Sequence, residues 1–297
     1  MLTLTEDSRL RCLEQGEGEP LILLPAAGSI GAQWRGVTQA LTRPFRCLMP
    51  DLTVPDPPSG EAASNRIMLL EDLALVHALV QRCGGRAHLV GHSYGAFLAH
   101  RFAAAYPQMV EGLVLIEPIA FDLLEREGPA EEKNEIRALE NACLWALAEG
   151  EAGKAATLFV NYWSGPGAFG ALPEPVRGAM AAVMPKVCWG WREVRLAPPL
   201  TQVPGLQGRL VMGEKSPQPT RWIARRLAAQ ASFPLTELPG AGHMSPMTHP
   251  GAVARLLEEH LASVGKGGTA CSLRLRCPPL DPHAVSGPSP DTASARV

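Results

Sequence analysis

Short apolar runs alternate with helical patterns along most of this 297-residue chain. The runs are mostly aliphatic and show little polar alternation, which is typical of parallel strands covered by helices on both faces. They lie at 20–28, 45–52, 87–93, 112–118 and 208–214, with helical patterns at 64–83, 95–106 and 217–230. The alternation predicts an α/β fold with a doubly wound, mostly parallel sheet, in which ligand chemistry gathers at the carboxyl ends of the strands.

The alternation stops at about 121, and helical patterns without a convincing strand continue to about 200. Four of the six tryptophans fall in this segment: Trp145, Trp163, Trp189 and Trp191. Such side chains suit either core packing or the apolar lining of a small-molecule pocket. From Lys266 onward the chain is Pro-rich and aperiodic, which favours disorder. We therefore expect an α/β core at 1–120 and 201–265, a helical cap at 121–200 inserted after the sixth strand, and a disordered tail at 266–297.

A Gly-x-Ser-x-Gly turn follows one predicted strand and precedes an apolar helical start, with Ser93 at its centre. The flanking Gly91 and Gly95 lack the Cβ atoms that would collide in so tight a turn. A serine needs a base to become a nucleophile. His243 lies on a Gly-flanked loop after a final strand-like stretch, at the expected carboxyl end of the sheet. Ser93 and His243 are thus the candidate nucleophile and base.

The segments "GHSYG", "PGAGHMSP" and "LILLPAAGS…W" together resemble the α/β-hydrolases, of the cap-bearing esterase and C–C hydrolase type. The resemblance runs from about residue 10 to 262 and implies the chain order serine, acid, histidine. It also implies that the backbone N–H groups of Ala27 and Tyr94 form the oxyanion hole, although the usual His-Gly of that loop is replaced by Pro25-Ala26. Four side chains are expected in the substrate pocket: Trp34, Asn161, Tyr162 and Trp163. Helical packing explains the last three nearly as well.

The third member of the triad is less obvious, because the common family position for the acid, shortly after "GRLVMGE", holds Ser216 here. Some family members instead carry the acid after the strand that follows the nucleophile. Glu117 stands there, at the end of "GLVLIEP". A carboxylate that closes an apolar run is costly to bury without a partner. We therefore expect Glu117 to orient His243 and stabilise its charged form, with Glu214 as the alternative acid.

Charge and composition narrow the range of partners. The 27 basic and 29 acidic residues give a net charge of −2, which offers no reason to expect nucleic acid or an anionic membrane as a partner. No apolar run approaches the ~20 residues of a membrane helix, and the first residues lack a secretory signal pattern. Seven dispersed cysteines favour reduced thiols in a cytoplasm. No metal-binding or phosphate-binding motif occurs, so we expect neither a metal nor a cofactor.

These features predict a cytoplasmic serine hydrolase, monomeric or homodimeric, that cleaves an ester-type bond of a small, partly apolar substrate through an acyl-enzyme. Two alternatives stay open. One is a C–C bond hydrolase that acts on a diketone-like compound with the same triad. The other is a non-catalytic α/β-hydrolase relative that binds a small ligand or a partner.

Overall fold

A computed structural model describes residues 2–4, 11–52, 68–198 and 205–264. Its strands are β1 (Leu2–Leu4), β2 (Arg11–Gln15), β3 (Glu19–Leu24), β4 (Phe45–Pro50), β5 (Ala87–His92), β6 (Val110–Ile116), β7 (Gly208–Gly213) and β8 (Leu235–Leu238). They form one sheet in the order β1-β2-β4-β3-β5-β6-β7-β8. Strands β1, β2 and β4 pair antiparallel, and all pairs from β4 to β8 are parallel.

The described helices lie mainly between the parallel strands. They are α1 (Arg35–Ala40), α2 (Met68–Arg82), α3 (Tyr94–Ala105), α4 (Phe121–Glu127), α5 (Ala130–Ala148), α6 (Ala152–Ser164), α7 (Ala168–Ala171), α8 (Glu174–Leu196), α9 (Gln218–Ala231), α10 (Ser245–Thr248) and α11 (Pro250–Val264). The crossover from one parallel strand to the next requires such helices, because a tight turn joins only antiparallel strands.

Both faces of the sheet are buried because successive side chains of each strand point to opposite sides. Ile22 and Leu24 of β3 enter one apolar cluster together with helices α2, α3 and α9. Leu21 and Leu23 of the same strand enter a second cluster, which α1 and α11 cover. This two-sided burial explains why the central strands have mostly apolar sequences with little polar alternation.

Helices α4 to α8 form an insertion between β6 and β7, which we call the helical insertion (121–196). Helix α6 packs between α5 and α8, and α8 also contacts α2 and α4. Buried side chains of α5, α6 and α8 belong to the same apolar cluster as α2 and α3. The insertion is therefore joined to the core on the face that carries α3, the helix following Ser93.

The predicted α/β architecture with a mostly parallel sheet is confirmed. The antiparallel strands β1 and β2 add an edge that the sequence pattern did not indicate, because they are only three and five residues long. The tail predicted at 266–297 and residues 64–67 of the first predicted helix lie outside the described residues. Within the described ranges, no helix has the length and apolar character needed to cross a membrane.

Candidate active site

Ser93 occupies a strained turn between β5 and α3. Its backbone has φ 56° and ψ −113°, a conformation that side-chain-bearing residues rarely adopt. A Cβ atom on Gly91 would collide with the carbonyl oxygen of Gly95, and one on Gly95 would collide with that of Leu24. The two glycines are thus required by close backbone approach, and the turn lifts the Ser93 side chain above the carboxyl end of β5.

His243 approaches Ser93 from the loop between β8 and α10. Its Nε2 atom lies 3.0 Å from the Ser93 hydroxyl oxygen, and both side chains are buried. This is the distance at which an imidazole accepts a hydroxyl proton. The two residues are 150 positions apart in the chain, so the fold alone brings them together.

Glu117 follows β6 and contacts the opposite side of the His243 ring. Its Oε2 atom lies 3.2 Å from His243 Nδ1, and the side chain has no exposed surface. Its other oxygen accepts hydrogen bonds from the Ser216 hydroxyl, at 2.7 Å, and from the Gly213 N–H. The Glu117 backbone is itself in the left-handed region, with φ 52°, and its N–H donates to Val211 O at 2.9 Å. Hydrogen bonds from both sides therefore hold this carboxylate against the imidazole.

Glu214, the alternative acid, points elsewhere. Its side chain is exposed and accepts a hydrogen bond from the Gly240 N–H at 2.7 Å. The structure thus brings Glu117, and not Glu214, to His243.

The loop after β3 makes a tight turn beside Ser93. The Ser29 N–H donates to Ala26 O at 3.1 Å, and Gly28 has φ 72°, the sign that the third position of a type II turn requires. A glycine is therefore present in this loop even though the His-Gly of the family is absent. Ala27 lies at the second position of the turn. Tyr94 begins α3, where the first N–H groups have no partner within the helix.

Trp163 of α6 covers the His243 ring. The ring centroids are 4.2 Å apart and the planes are tilted by 34°. Behind Trp163 lies an aromatic cluster that includes Phe159 and Trp191, both on the helical insertion. The insertion thus supplies an aromatic wall directly at the candidate catalytic histidine.

The other three predicted pocket residues lie in different surroundings. Trp34 has no exposed surface, packs in the second apolar cluster and lies edge-on to the His92 ring, so its place in the pocket stays a prediction. Asn161 accepts a hydrogen bond from the Phe169 N–H at 2.9 Å. Tyr162 donates from its hydroxyl to Glu135 at 2.6 Å. The polar atoms of Asn161 and Tyr162 therefore serve contacts within the helical insertion.

Three buried hydrogen bonds near Ser93 were not predicted from the sequence. His92, which directly precedes Ser93, contacts Gln33 through Nδ1 at 3.0 Å and the His243 carbonyl through Nε2 at 2.8 Å. The Tyr94 hydroxyl donates to Asp72 at 2.6 Å. Asp72 follows Glu71, and His92 stands between Gly91 and Ser93, so no apolar run marks either residue in the sequence. Only the folded structure shows that each buried polar group has its partner.

No group of three or more His, Cys, Asp or Glu side chains within the described ranges is arranged to hold a metal ion. Ser93, His243 and Glu117 place a serine hydroxyl, an imidazole and a carboxylate in a row.

Comparison with known proteins gives a family match and several partial relatives. Residues 21–256 match the model of the alpha/beta hydrolase family. A pimeloyl-[acyl-carrier protein] methyl ester esterase of Aeromonas hydrophila is 31% identical over 103 residues, which cover 34% of this chain and 38% of the relative. A 2-hydroxy-6-oxo-6-phenylhexa-2,4-dienoate hydrolase of Comamonas testosteroni is 31% identical over 115 residues, covering 35% and 38%. The aligned segments thus span well under half of either relative.

Among solved structures, a thermophilic esterase from Thermogutta terrifontis superposes with a TM-score of 0.61. It is 21% identical, and the match covers 89% of this chain and 97% of the esterase. At this level of identity the likeness concerns the fold.

Proposed function

We propose that this chain, which belongs to the alpha/beta hydrolase family, is a serine hydrolase that cleaves the ester bond of a small, partly apolar substrate. The observation that carries the proposal is the continuous row of contacts from Ser93 through His243 to Glu117. Each member has the neighbour that its role requires: the nucleophile has a base, and the base has a carboxylate on its far side.

In this mechanism the Ser93 oxygen attacks the ester carbonyl carbon while His243 Nε2 takes the hydroxyl proton. The tetrahedral intermediate collapses when the C–O bond to the alcohol breaks, and the imidazolium returns the proton to that alcohol. A water molecule then attacks the acyl-enzyme with His243 again acting as base, which releases the acid and restores Ser93. Glu117 keeps Nδ1 protonated and offsets the positive charge on the ring.

The negative charge on the carbonyl oxygen is stabilised by the N–H groups of Ala27 and Tyr94. Tyr94 offers its N–H at the N-terminus of α3, where the helix dipole also favours negative charge. Ala27 lies in the turn closed by Ser29 and fixed by the positive φ of Gly28. A Cβ atom placed on Gly28 would lie 3.2 Å from Met180 Cε, so α8 borders this turn with an apolar side chain.

An apolar substrate agrees with the surroundings of the triad. Trp163 lies against His243, and Met180 lies against the oxyanion turn. These side chains offer dispersion contacts and no charge, which suits an uncharged acyl or alkyl group.

A second candidate function is cleavage of a C–C bond in a diketone-like compound. The partial similarity to the dienoate hydrolase of Comamonas testosteroni favours it, and the same three side chains serve both reactions. A panel that pairs activated acyl esters with a vinylogous diketone separates the two. Turnover of the diketone without turnover of the esters would replace the esterase proposal.

The direct test is labelling with a fluorophosphonate probe together with hydrolysis of p-nitrophenyl esters. We expect Ser93→Ala to abolish labelling and to lower kcat by roughly 10³-fold or more, with little change in Tm. Ser263→Ala, which alters a serine near the end of α11, is the matched control and retains both activities. Absence of labelling in the unmutated protein would favour the non-catalytic alternative, and labelling of Ser93→Ala would remove Ser93 from the mechanism.

A further inference from the structure

A buried polar bridge connects the oxyanion turn to the loop that carries His243. Gln33 Oε1 accepts a hydrogen bond from the Ala26 N–H at 3.2 Å, and Gln33 Nε2 lies 3.0 Å from His92 Nδ1. His92 Nε2 then lies 2.8 Å from the carbonyl oxygen of His243. Gln33 is 8% exposed, His92 0% and His243 2%, so the bridge is shielded from water.

The direction of every hydrogen bond in this bridge is determined by its two ends. The Ala26 N–H only donates, so the oxygen of the Gln33 amide faces it and the NH₂ group faces His92. Nδ1 of His92 must then accept, which leaves the ring proton on Nε2. That proton is donated to the His243 carbonyl oxygen, which only accepts. Every donor in the series meets an acceptor, and one tautomer of neutral His92 satisfies all three contacts.

A charged His92 would not fit this arrangement, because its Nδ1–H would face the Gln33 NH₂ group. Burial lowers the pKa of His92 to about 3, and the neighbouring His243 acts in the same direction. Trp34 packs edge-on against the His92 ring, with centroids 6.4 Å apart, and restricts its rotation. The ring is thus held neutral and in one orientation.

We propose that Gln33 and His92 are positioning residues that keep the oxyanion turn and the His243 loop in register with Ser93. The bridge contacts three parts of the site: the oxyanion loop, the turn that carries Ser93 and the loop that carries His243. Ala26 directly precedes the oxyanion donor Ala27, His92 directly precedes Ser93, and the bonded carbonyl belongs to His243 itself. This inference rests on the proposed function. It gives the Pro25-Ala26 loop a fixed position that does not depend on the His-Gly pair of the family.

The first test removes the hydrogen bonds of the bridge while keeping the size of the side chain at position 33. Gln33→Met keeps the length of the side chain and loses both hydrogen bonds. We expect kcat for an activated ester to fall by about 10- to 100-fold with KM changed by less than about twofold, because misaligned donors weaken the transition state more than the ground state. Gln218→Met, an exposed substitution at the start of α9, is the matched control.

The second test restores the bridge with a proton. In Gln33→Glu, one oxygen accepts from the Ala26 N–H, and the other faces His92 Nδ1, which is also an acceptor. One additional proton between these two groups re-forms both hydrogen bonds. We therefore expect Gln33→Glu to exceed Gln33→Met in kcat at low pH and to lose that advantage as the pH rises and the extra proton dissociates. A side chain that merely filled space would not introduce this new pH dependence.

A third measurement requires no turnover. Nitrogen-15 NMR of the histidine side chains in the unmutated protein should show His92 as the neutral Nε2–H tautomer between pH 5 and 8. The Nδ1–H tautomer, or protonation of both nitrogens, would overturn the proposed bridge. So would a kcat of Gln33→Met equal to that of an active unmutated enzyme. The esterase proposal can fail separately. If the unmutated protein is not labelled and does not hydrolyse esters but shows the expected His92 tautomer, the bridge is formed, and the esterase proposal and the catalytic role of the bridge are refuted.

Discussion

Replacing Asp72 by asparagine should change how the stability of the protein depends on pH. Asp72 lies on α2 with no exposed surface and accepts a hydrogen bond from the Tyr94 hydroxyl at 2.6 Å. Its second carboxyl oxygen has no hydrogen-bond partner within the described residues. Burial raises the pKa of Asp72 to about 7, and the negative charges of Glu193 and Glu71 add to the rise, while the Tyr94 hydrogen bond opposes it.

The sign of the effect follows from proton uptake in the two states. The unfolded chain releases the Asp72 proton near pH 3.8, and the folded protein holds it to about pH 7. Between these values the folded state binds more protons, so the free energy of unfolding falls as the pH rises and becomes level above about 7. The pKa of Asp72 differs by about three units between the two states. At about 1.4 kcal/mol per unit, the free energy of unfolding falls by an amount on the order of 4 kcal/mol.

Asp72→Asn removes this titration and keeps an acceptor for the Tyr94 hydroxyl. The new NH₂ group meets the same surroundings as the unpaired oxygen, at a cost that does not depend on pH. The quantity to measure is therefore the difference in unfolding free energy between variant and unmutated protein, from urea denaturation at pH 4.5, 6 and 8. We expect this difference to shift in favour of the variant by about 3 kcal/mol over that range, because about 2.5 of the three pKa units lie above pH 4.5. Glu149→Gln, an exposed change directly after α5, controls for the loss of one carboxylate. A difference that is constant with pH would refute the reasoning.

Two further substitutions examine the triad and its aromatic wall. Glu117→Gln keeps the shape of the acid but removes its charge, so we expect kcat to fall by about 10³- to 10⁴-fold. Glu214→Gln should change kcat by less than about tenfold. Similar losses of kcat in the two variants in steady-state assays would contradict the assignment of Glu117. Trp163→Leu removes the aromatic face over His243, and the loss of its attraction to the imidazolium should lower kcat/KM by about two- to thirtyfold, with Trp163→Phe retaining part of the rate. An unchanged kcat/KM in Trp163→Leu would leave Trp163 a packing residue.

The parts of the fold that the sequence predicts are those in which local pattern and tertiary environment agree. Strands β3 to β7 are buried on both faces, and their sequences are mostly apolar without regular polar alternation. Strand β2 carries charged residues and is largely exposed or half-buried, and it is defined by antiparallel pairing with β4. Pairing of this kind depends on a partner more than 30 positions away, between Glu14 and Leu48 for example, and leaves no local periodicity.

Some residues of the candidate site could also be predicted from local sequence, and others could not. Ser93 was found from the backbone demands of its turn, and His243 from its position after a strand. Gln33 and His92 were missed because their contacts join residues 59 and 151 positions apart, and neither residue type is unusual where it stands. Trp34 stays a predicted pocket residue, because a tryptophan beside a catalytic loop looks the same in sequence whether it faces a pocket or the core.

The carboxylate beside His243 can come from the end of either of two neighbouring strands. Strands β6 and β7 are hydrogen-bonded parallel neighbours, so their carboxyl ends lie side by side, and a carboxylate from either end reaches the same region near His243. Here Glu117 of the β6 end supplies it, and Ser216, at the common family position after β7, donates a hydrogen bond to that same carboxylate at 2.7 Å. In the proposed mechanism, the His243 ring needs a negative charge beside Nδ1 and donors that hold that charge, and the end of either strand can provide the carboxylate. When a glutamate on the neighbouring strand provides the acid, we expect a serine at the usual acid position. The buried oxygen of that glutamate needs a hydrogen-bond donor, and the serine hydroxyl supplies one from the space that an aspartate would otherwise fill.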